Sequence, residues 1–181
     1  MPMLSGKEIM RQIDKGNIVI SPFSESQVNP NSYNLTLGSE LLIYTDRVLD
    51  AAKKNNTKTL TIPPEGITLL PDMLYIASTR EYTETYGFVP QISGRSSIGR
   101  VGLYVHITAG LGANGYKGTW MLTLSCTVPV KIYAGMEVGQ IYYFPIVGDD
   151  SLKYSGGYQG HKSASTSLVY NEFNENKKEV V

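Results

Sequence analysis

Hydrophobic residues near the start of the chain recur at the spacing of a helix. Ile9 and Ile13 are four positions apart and follow Ser5, a residue type that commonly caps helix N-termini. Gly16 then supplies a residue type that often ends a helix. This pattern predicts a single helix over residues 5–15.

After this helix the spacing changes to that of β-strands. Short apolar or alternating runs are separated by Pro, Gly, Asn and Asp, which favour turns. The runs cover residues 18–20, 33–44, 59–62, 66–79, 88–92, 104–108, 119–127, 130–134 and 137–145. A regular alternation of strands with long helices is missing, which excludes a Rossmann-type fold. We therefore expect a mainly β protein, a barrel or sandwich, with a mobile polar tail after residue 155.

Composition and charge narrow the class of protein. The 181 residues suffice for one domain with a sizeable core. The 16 basic and 16 acidic residues cancel, so we expect no broad basic surface for duplex nucleic acid. Apolar runs are too short for a membrane span, and the N-terminus does not resemble a signal peptide. Cys126 is alone, which excludes an intrachain disulfide and fits the cytoplasm.

The segment with the strongest chemical signal is residues 94–100, Gly-Arg-Ser-Ser-Ile-Gly-Arg. Arg95 and Arg100 can each donate forked hydrogen bonds to an anion, and Ser96 and Ser97 add hydroxyl donors. The combination predicts a phosphate-binding turn. An alternative is that the turn only caps a short helix and pairs with surface carboxylates.

Several motifs in order resemble one family. They lie at residues 18–38, 94–100, 115–118, 129–140 and 158–160. Together they resemble the dCTP deaminase and dUTPase family over residues 3–173. The resemblance implies a distorted β-barrel or jelly roll of the dUTPase type, assembled as a homotrimer with nucleotide sites at subunit interfaces. It also implies a nucleotide-binding domain over residues 1–173, whose residues 154–173 form a lid, and a polar tail over residues 174–181.

The resemblance assigns roles to individual residues of this chain. The residues expected to bind the phosphates are Arg95, Ser96, Ser97 and Arg100. The residues expected to contact the base and sugar are His106, Ile107, Thr108, Ala109, Ala113, Tyr116 and Thr123. The lid would use Tyr154, Tyr158 and Gln159. Mg²⁺ would enter only with the nucleotide phosphates, and no metal site is expected in the protein itself. We expect Trp120 to face the barrel interior or trimer core without a chemical role.

Two positions depart from the family in a way that bears on catalysis. Thr123 stands where the family carries the glutamate that moves protons in deamination, and Ala113 stands where it carries an aspartate. An unassisted alcohol is a poor base near neutral pH, and a methyl group cannot orient water. Asn34 replaces the usual aspartate of the early motif, and Gly157 replaces a lysine often found in the tail.

These departures lead to a first hypothesis of a catalytically inactive homotrimer. It would capture or sequester a nucleotide, including a cyclic or linked one, as a viral protein could. The alternative is an active dCTP deaminase or dUTPase of pyrimidine deoxynucleotide metabolism. A third hypothesis is a regulatory protein that grips a partner protein through its trimer surface.

Overall fold

The fold consists mainly of antiparallel strands, as described here for residues 2–105 and 109–178 of a computed structural model. The helices are α1 (Gly6–Asp14), α2 (Ser96–Gly99) and α3 (Val169–Lys178), and a 3-10 turn spans Glu25–Gln27. The strands are β1 (Ile18–Ser21), β2 (Tyr33–Tyr44), β3 (Thr57–Thr61), β4 (Ile67–Leu69), β5 (Tyr75–Thr85), β6 (Phe88–Gly94), β7 (Leu103–Val105), β8 (Lys117–Cys126), β9 (Val130–Ile132) and β10 (Glu137–Pro145).

Helix α1 begins and ends where the sequence predicts. The hydroxyl of Ser5 accepts a hydrogen bond from the backbone of Glu8 at 3.2 Å, which satisfies a free N–H of the first turn. Gly16 follows the helix with φ +75°, a conformation that glycine adopts without strain. The helix buries Ile9 completely and therefore closes one end of the core.

The strands form an eight-stranded sheet that curls into a distorted barrel. Its main path is β6-β10-β2-β5-β8-β7, with β1 paired to β5 and β3 paired to β2. Strand β2 bends at an irregular register between Leu37 and Leu41, so it pairs with β10 in its first half and with β5 in its second. The backbone of Ile92 in β6 donates to Gly110 at 2.7 Å, which brings the chain after β7 back to the other edge of the sheet. The expected mainly β barrel is confirmed.

Leucine, isoleucine and tyrosine side chains from facing strands fill the barrel. Leu35, Leu122, Leu124 and Tyr143 are among the fully buried ones. A buried side chain of this size stabilises the fold by about 1.5–3 kcal/mol. The core thus holds in place the strands that carry the candidate site.

Two segments differ from the sequence-based expectation. The run 66–79 was expected to be one strand, but it is split into β4 and β5 at a turn in which Asp72 has φ +60°. The hydroxyl of Tyr75 accepts the backbone N–H of Leu70 at 2.9 Å and fixes this turn. The second difference is α3, where a mobile tail was expected; Asn174 of this helix donates to the backbone of Ala52 at 3.1 Å. Within the described residues, no helix has both the length and the hydropathy to cross a membrane.

Candidate functional site

A cavity of about 460 Å³ opens where β5 and β8 meet the C-terminal segment. Its size lies within the range of small-molecule sites. Four parts of the chain supply its lining, and most of the lining is apolar. The lining residues are Tyr44, Leu74, Ile76, Ala109, Leu111, Gly112, Ala113, Tyr116, Trp120, Met121, Thr123, Tyr154, Tyr158, Ser165, Thr166 and Ser167.

Two aromatic rings in tilted contact form one wall of the cavity. The ring centroids of Tyr116 and Trp120 are 4.6 Å apart, and Tyr154 meets Tyr116 edge-on at 5.7 Å. The indole N–H of Trp120 donates to the hydroxyl of Thr83 at 2.8 Å, which fixes the ring in its plane. Burial raises the pKa of the Tyr116 phenol far above its ordinary range, so its hydroxyl stays protonated and donates to the Thr119 carbonyl at 2.6 Å. This wall offers a rigid apolar surface suited to a flat base.

A glycine permits the close approach of the backbone to this wall. A Cβ added at Gly112 would lie 2.3 Å from the indole of Trp120 and 2.8 Å from Pro90. The backbone N–H of Gly112 also donates to the carbonyl of Pro90 at 2.8 Å. Any larger residue at position 112 would therefore displace the indole.

The two positions where the family resemblance led us to expect acidic residues both lie at the cavity. Ala113 belongs to the loop before β8, and Thr123 projects from β8 opposite Ile76 of β5. No carboxylate is among the described residues of the lining. Neighbouring Asn114 instead has a structural task, because its amide donates to the carbonyls of Asp150 and Leu152 and accepts from the backbone of Gly87.

The predicted lid residues lie against the cavity. Tyr154 and Tyr158 line it, and the hydroxyl of Tyr158 accepts the backbone N–H of Leu168 at 2.9 Å. Gln159 does not line the cavity. Its side-chain oxygen accepts a hydrogen bond from the backbone N–H of Lys117 at 2.9 Å, at the start of β8, and its side-chain nitrogen donates to the backbone carbonyl of Gly115 at 2.8 Å. The side chain of Gln159, which was expected to serve the lid, is thus engaged with the backbone.

The predicted phosphate-binding turn, residues 94–100, lies apart from this cavity in a single chain. None of Arg95, Ser96, Ser97 and Arg100 is among the lining residues. Arg95 is partly buried and forms an ion pair with Glu137. Ser96, Ser97 and Arg100 are exposed, and within the described part of the chain their side chains have no hydrogen-bond or ion-pair partner. Three of the four expected anion donors are therefore available to a ligand.

The remaining expected positions divide into two groups. Ala109, Ala113, Tyr116 and Thr123 line the cavity as expected for base and sugar contacts. His106, Ile107 and Thr108 lie outside the described residues. The sequence analysis missed the lining residues Tyr44, Leu74, Ile76, Leu111, Gly112 and Met121. It assigned Trp120 to packing, although its indole forms part of the cavity wall. An apolar residue such as this tryptophan suits core packing and a cavity wall equally well, so the sequence could not separate the two roles.

Comparison with known proteins identifies the relationship. Residues 3–146 match the model of a family described as dCTP deaminase-like. The chain belongs to this family. Over 171 residues it is 52% identical to the "dCTP deaminase, dUMP-forming" of Clostridium acetobutylicum, covering 94% of this chain and 98% of that one. The protein of the same name from Leptospira biflexa is 46% identical over the same length, with the same coverage.

A solved structure supports the fold. The 2'-deoxycytidine 5'-triphosphate deaminase of Agrobacterium tumefaciens superposes with a TM-score of 0.63 at 18% identity. The match covers 78% of this chain and 47% of that one, so the chain spans about half the length of that structure.

The family members also correct the first hypothesis. A catalytically inactive, sequestering protein was expected from Ala113 and Thr123. Relatives about 50% identical over nearly the whole chain are instead named as dUMP-forming deaminases. The expectation of an inactive binder is therefore wrong, because it gave two substitutions more weight than the rest of the sequence. The alternative of a deaminase is the better supported hypothesis.

Proposed function

We propose that this protein is an enzyme that converts dCTP to dUMP. The observation that carries the proposal is the 52% identity to a dUMP-forming dCTP deaminase across 94% of the chain. The reaction consumes two water molecules. One replaces the amino group at C4 of cytosine, which leaves as ammonia, and the other cleaves the phosphate chain, which leaves as diphosphate.

The cavity suits the nucleoside part of this substrate. The Tyr116 and Trp120 wall offers a face for the pyrimidine or the deoxyribose, and hydroxyls of Thr123 and Ser165 add polar contacts. The free donors Ser96, Ser97 and Arg100 suit the triphosphate. Because these donors do not line the cavity of the same chain, we propose a homotrimer in which the turn of one copy faces the cavity of the next.

Proton transfer places a further demand on the site. Attack of water at C4 needs a group that accepts a proton and passes it to the leaving amine. The described lining holds hydroxyls but no carboxylate, so we propose that this group comes from outside that lining. Within the described residues, no group of three or more His, Cys, Asp or Glu side chains is placed to hold a metal ion. Mg²⁺ would accordingly reach the site bound to the triphosphate.

Incubation of the purified protein with dCTP and Mg²⁺ tests this function. Chromatography should show dUMP and diphosphate, with one ammonium ion released for each dUMP. Arg100→Ala should reduce turnover by tenfold or more, whereas Arg11→Ala on the outer face of α1 should not change it. A protein that forms neither dUMP nor dUTP, even at enzyme concentrations equal to the substrate, would refute the proposal.

A further inference from the structure

The phosphate-binding turn, residues 94–100, is tied to the barrel by one ion pair. Strand β6 pairs with β10 up to Gly94 opposite Gly139, and the turn starts at the next residue. There the guanidinium of Arg95 reaches back to β10, where it pairs with the carboxylate of Glu137 and donates to the Glu137 carbonyl at 3.5 Å. Both side chains are about two-thirds buried, so water screens this contact less than a surface pair.

Two side-chain amides, hydrogen-bonded in series, hold the Glu137 carboxylate in place. The side-chain amide of Asn34, which is 5% exposed, donates at 3.1 Å to Oε2 of Glu137, the same oxygen that pairs with Arg95. Asn29 donates to the carbonyl oxygen of that same amide at 2.7 Å. The two bonds fix which way the Asn34 amide faces. Asn34 therefore donates toward Glu137.

The backbone explains why Glu137 reaches the turn. The register between β10 and β2 shifts between Glu137 and Gly139, and such an irregularity redirects the side chain beside it. Gly139 lies between β6 and β2, where an added Cβ would meet the carbonyl of Ser93 at 3.1 Å. The three strands thus bring the start of the turn and Glu137 together.

We infer that Glu137 and Asn34 are positioning residues for phosphate binding, which they serve by fixing Arg95 and with it the free donors Ser96, Ser97 and Arg100. This inference rests on the proposed function for the identity of the nucleotide only. The carboxylate neutralises Arg95, so the anion is left to the unpaired Arg100 and the two serines. The role is distinct from contact with the nucleotide, because Glu137 would repel a phosphate.

The test compares ligands with and without phosphates. Binding of dCTP, 2'-deoxycytidine and inorganic triphosphate is measured through the fluorescence of Trp120, the single tryptophan of the chain, and by calorimetry. Glu137→Gln should weaken dCTP and triphosphate about tenfold and leave 2'-deoxycytidine within about twofold, since one charge-assisted bond to the turn is lost. Glu8→Gln, a carboxylate also paired with an arginine but on α1, is the matched control and should change none of these affinities.

Relocation of the charge provides a second readout. Asn34→Asp alone sets two carboxylates against each other and should weaken triphosphate binding. In the double variant with Glu137→Gln, the same change returns a carboxylate to the neighbourhood of Arg95, at the residue that is hydrogen-bonded to position 137. The double variant should therefore bind triphosphate at least threefold more tightly than Glu137→Gln alone. A side chain that only fills space would not give this reversal of sign. If Glu137→Gln does not fold, Glu137→Asp replaces it in the same comparison.

Each result bears on a separate claim. Loss of 2'-deoxycytidine affinity by the same factor as dCTP, or unchanged triphosphate affinity in Glu137→Gln, would overturn the positioning role. A wild-type protein that binds inorganic triphosphate but does not turn over dCTP would refute the proposed function and leave the positioning role to be judged by the variants. A wild-type protein that binds neither phosphate ligand would overturn both.

Discussion

Substitution of Gly112 by alanine tests whether the aromatic wall of the cavity is rigid. The new methyl would lie 2.3 Å from Cη2 of Trp120 and 2.8 Å from Pro90, whereas carbon atoms in contact are about 3.5–4.0 Å apart. The indole must therefore move by more than about 1 Å. Its N–H is bonded to Thr83 at 2.8 Å, so the movement stretches or breaks this buried bond.

The expected cost follows from these two effects. Overpacking costs about 1–3 kcal/mol, and a buried donor without its partner costs about 1–3 kcal/mol more. For a chain of 181 residues we expect Gly112→Ala to lower the melting temperature by about 5–15 °C. Because Gly112 and Trp120 both line the cavity, the displacement also changes its shape, so dCTP affinity should fall at least tenfold.

Trp120 reports the change directly, because it is the single tryptophan of the chain. Its emission should shift toward the red in Gly112→Ala as the ring leaves its buried position, and calorimetry should show the lowered melting temperature. Gly99→Ala serves as the folding control, since no atom lies within 4 Å of the added methyl. A Gly112→Ala variant with native emission and a melting temperature within about 2 °C of wild type would refute the rigid wall.

Three further predictions address catalysis, the core and pH. Thr123→Val removes a hydroxyl from the cavity lining and should lower ammonia release from dCTP by less than about tenfold, because the proposed proton-transfer group lies outside this lining; a loss of about a hundredfold or more would place proton transfer at Thr123. Tyr143→Phe should keep or raise the melting temperature, because the buried hydroxyl that it removes has the Thr85 hydroxyl near it only in a contact that does not meet hydrogen-bond geometry; a clear loss would show that this contact is a stabilising hydrogen bond. The hydroxyl of Tyr86 and the nearby Lys117 lower the pKa of Glu84 below about 4.5, so Glu84 stabilises the fold above that pH and loses this effect as pH falls through its folded pKa. The difference in melting temperature between wild type and Glu84→Gln should therefore shrink from pH 6 to pH 3, and a constant difference would contradict it.

Local signals in the sequence were sufficient for the elements and for part of the site. Ser5 and the helical spacing located α1, because capping and periodicity act within a few residues. The alternating runs located most strands for the same reason. Ala109, Ala113, Tyr116 and Thr123, which the resemblance assigns to the base and sugar, all line the cavity, and their contact with a nucleotide stays a prediction.

Contacts between distant segments could not be predicted in this way. The pairing of Arg95 with Glu137 joins residues 42 positions apart, and nothing near Arg95 in the sequence marks it as paired. Whether the ring of Trp120 faces the cavity depends on how the loop at Gly112 packs against it. Helix α3 has a polar sequence without a clear apolar stripe, so only its contact with the segment near Ala52 distinguishes it from a tail.

The cavity depends on a part of the chain that the family model does not cover. The match to the family ends at residue 146, while Tyr154, Tyr158 and residues 165–167 close the cavity from above. This closing segment lines the cavity without adding a strand to the eight-stranded sheet, so it can be exchanged without breaking the strand pairing beneath it. Exchange of residues 154–168 between this chain and a relative is consequently a direct route to a changed nucleotide preference on an unchanged scaffold.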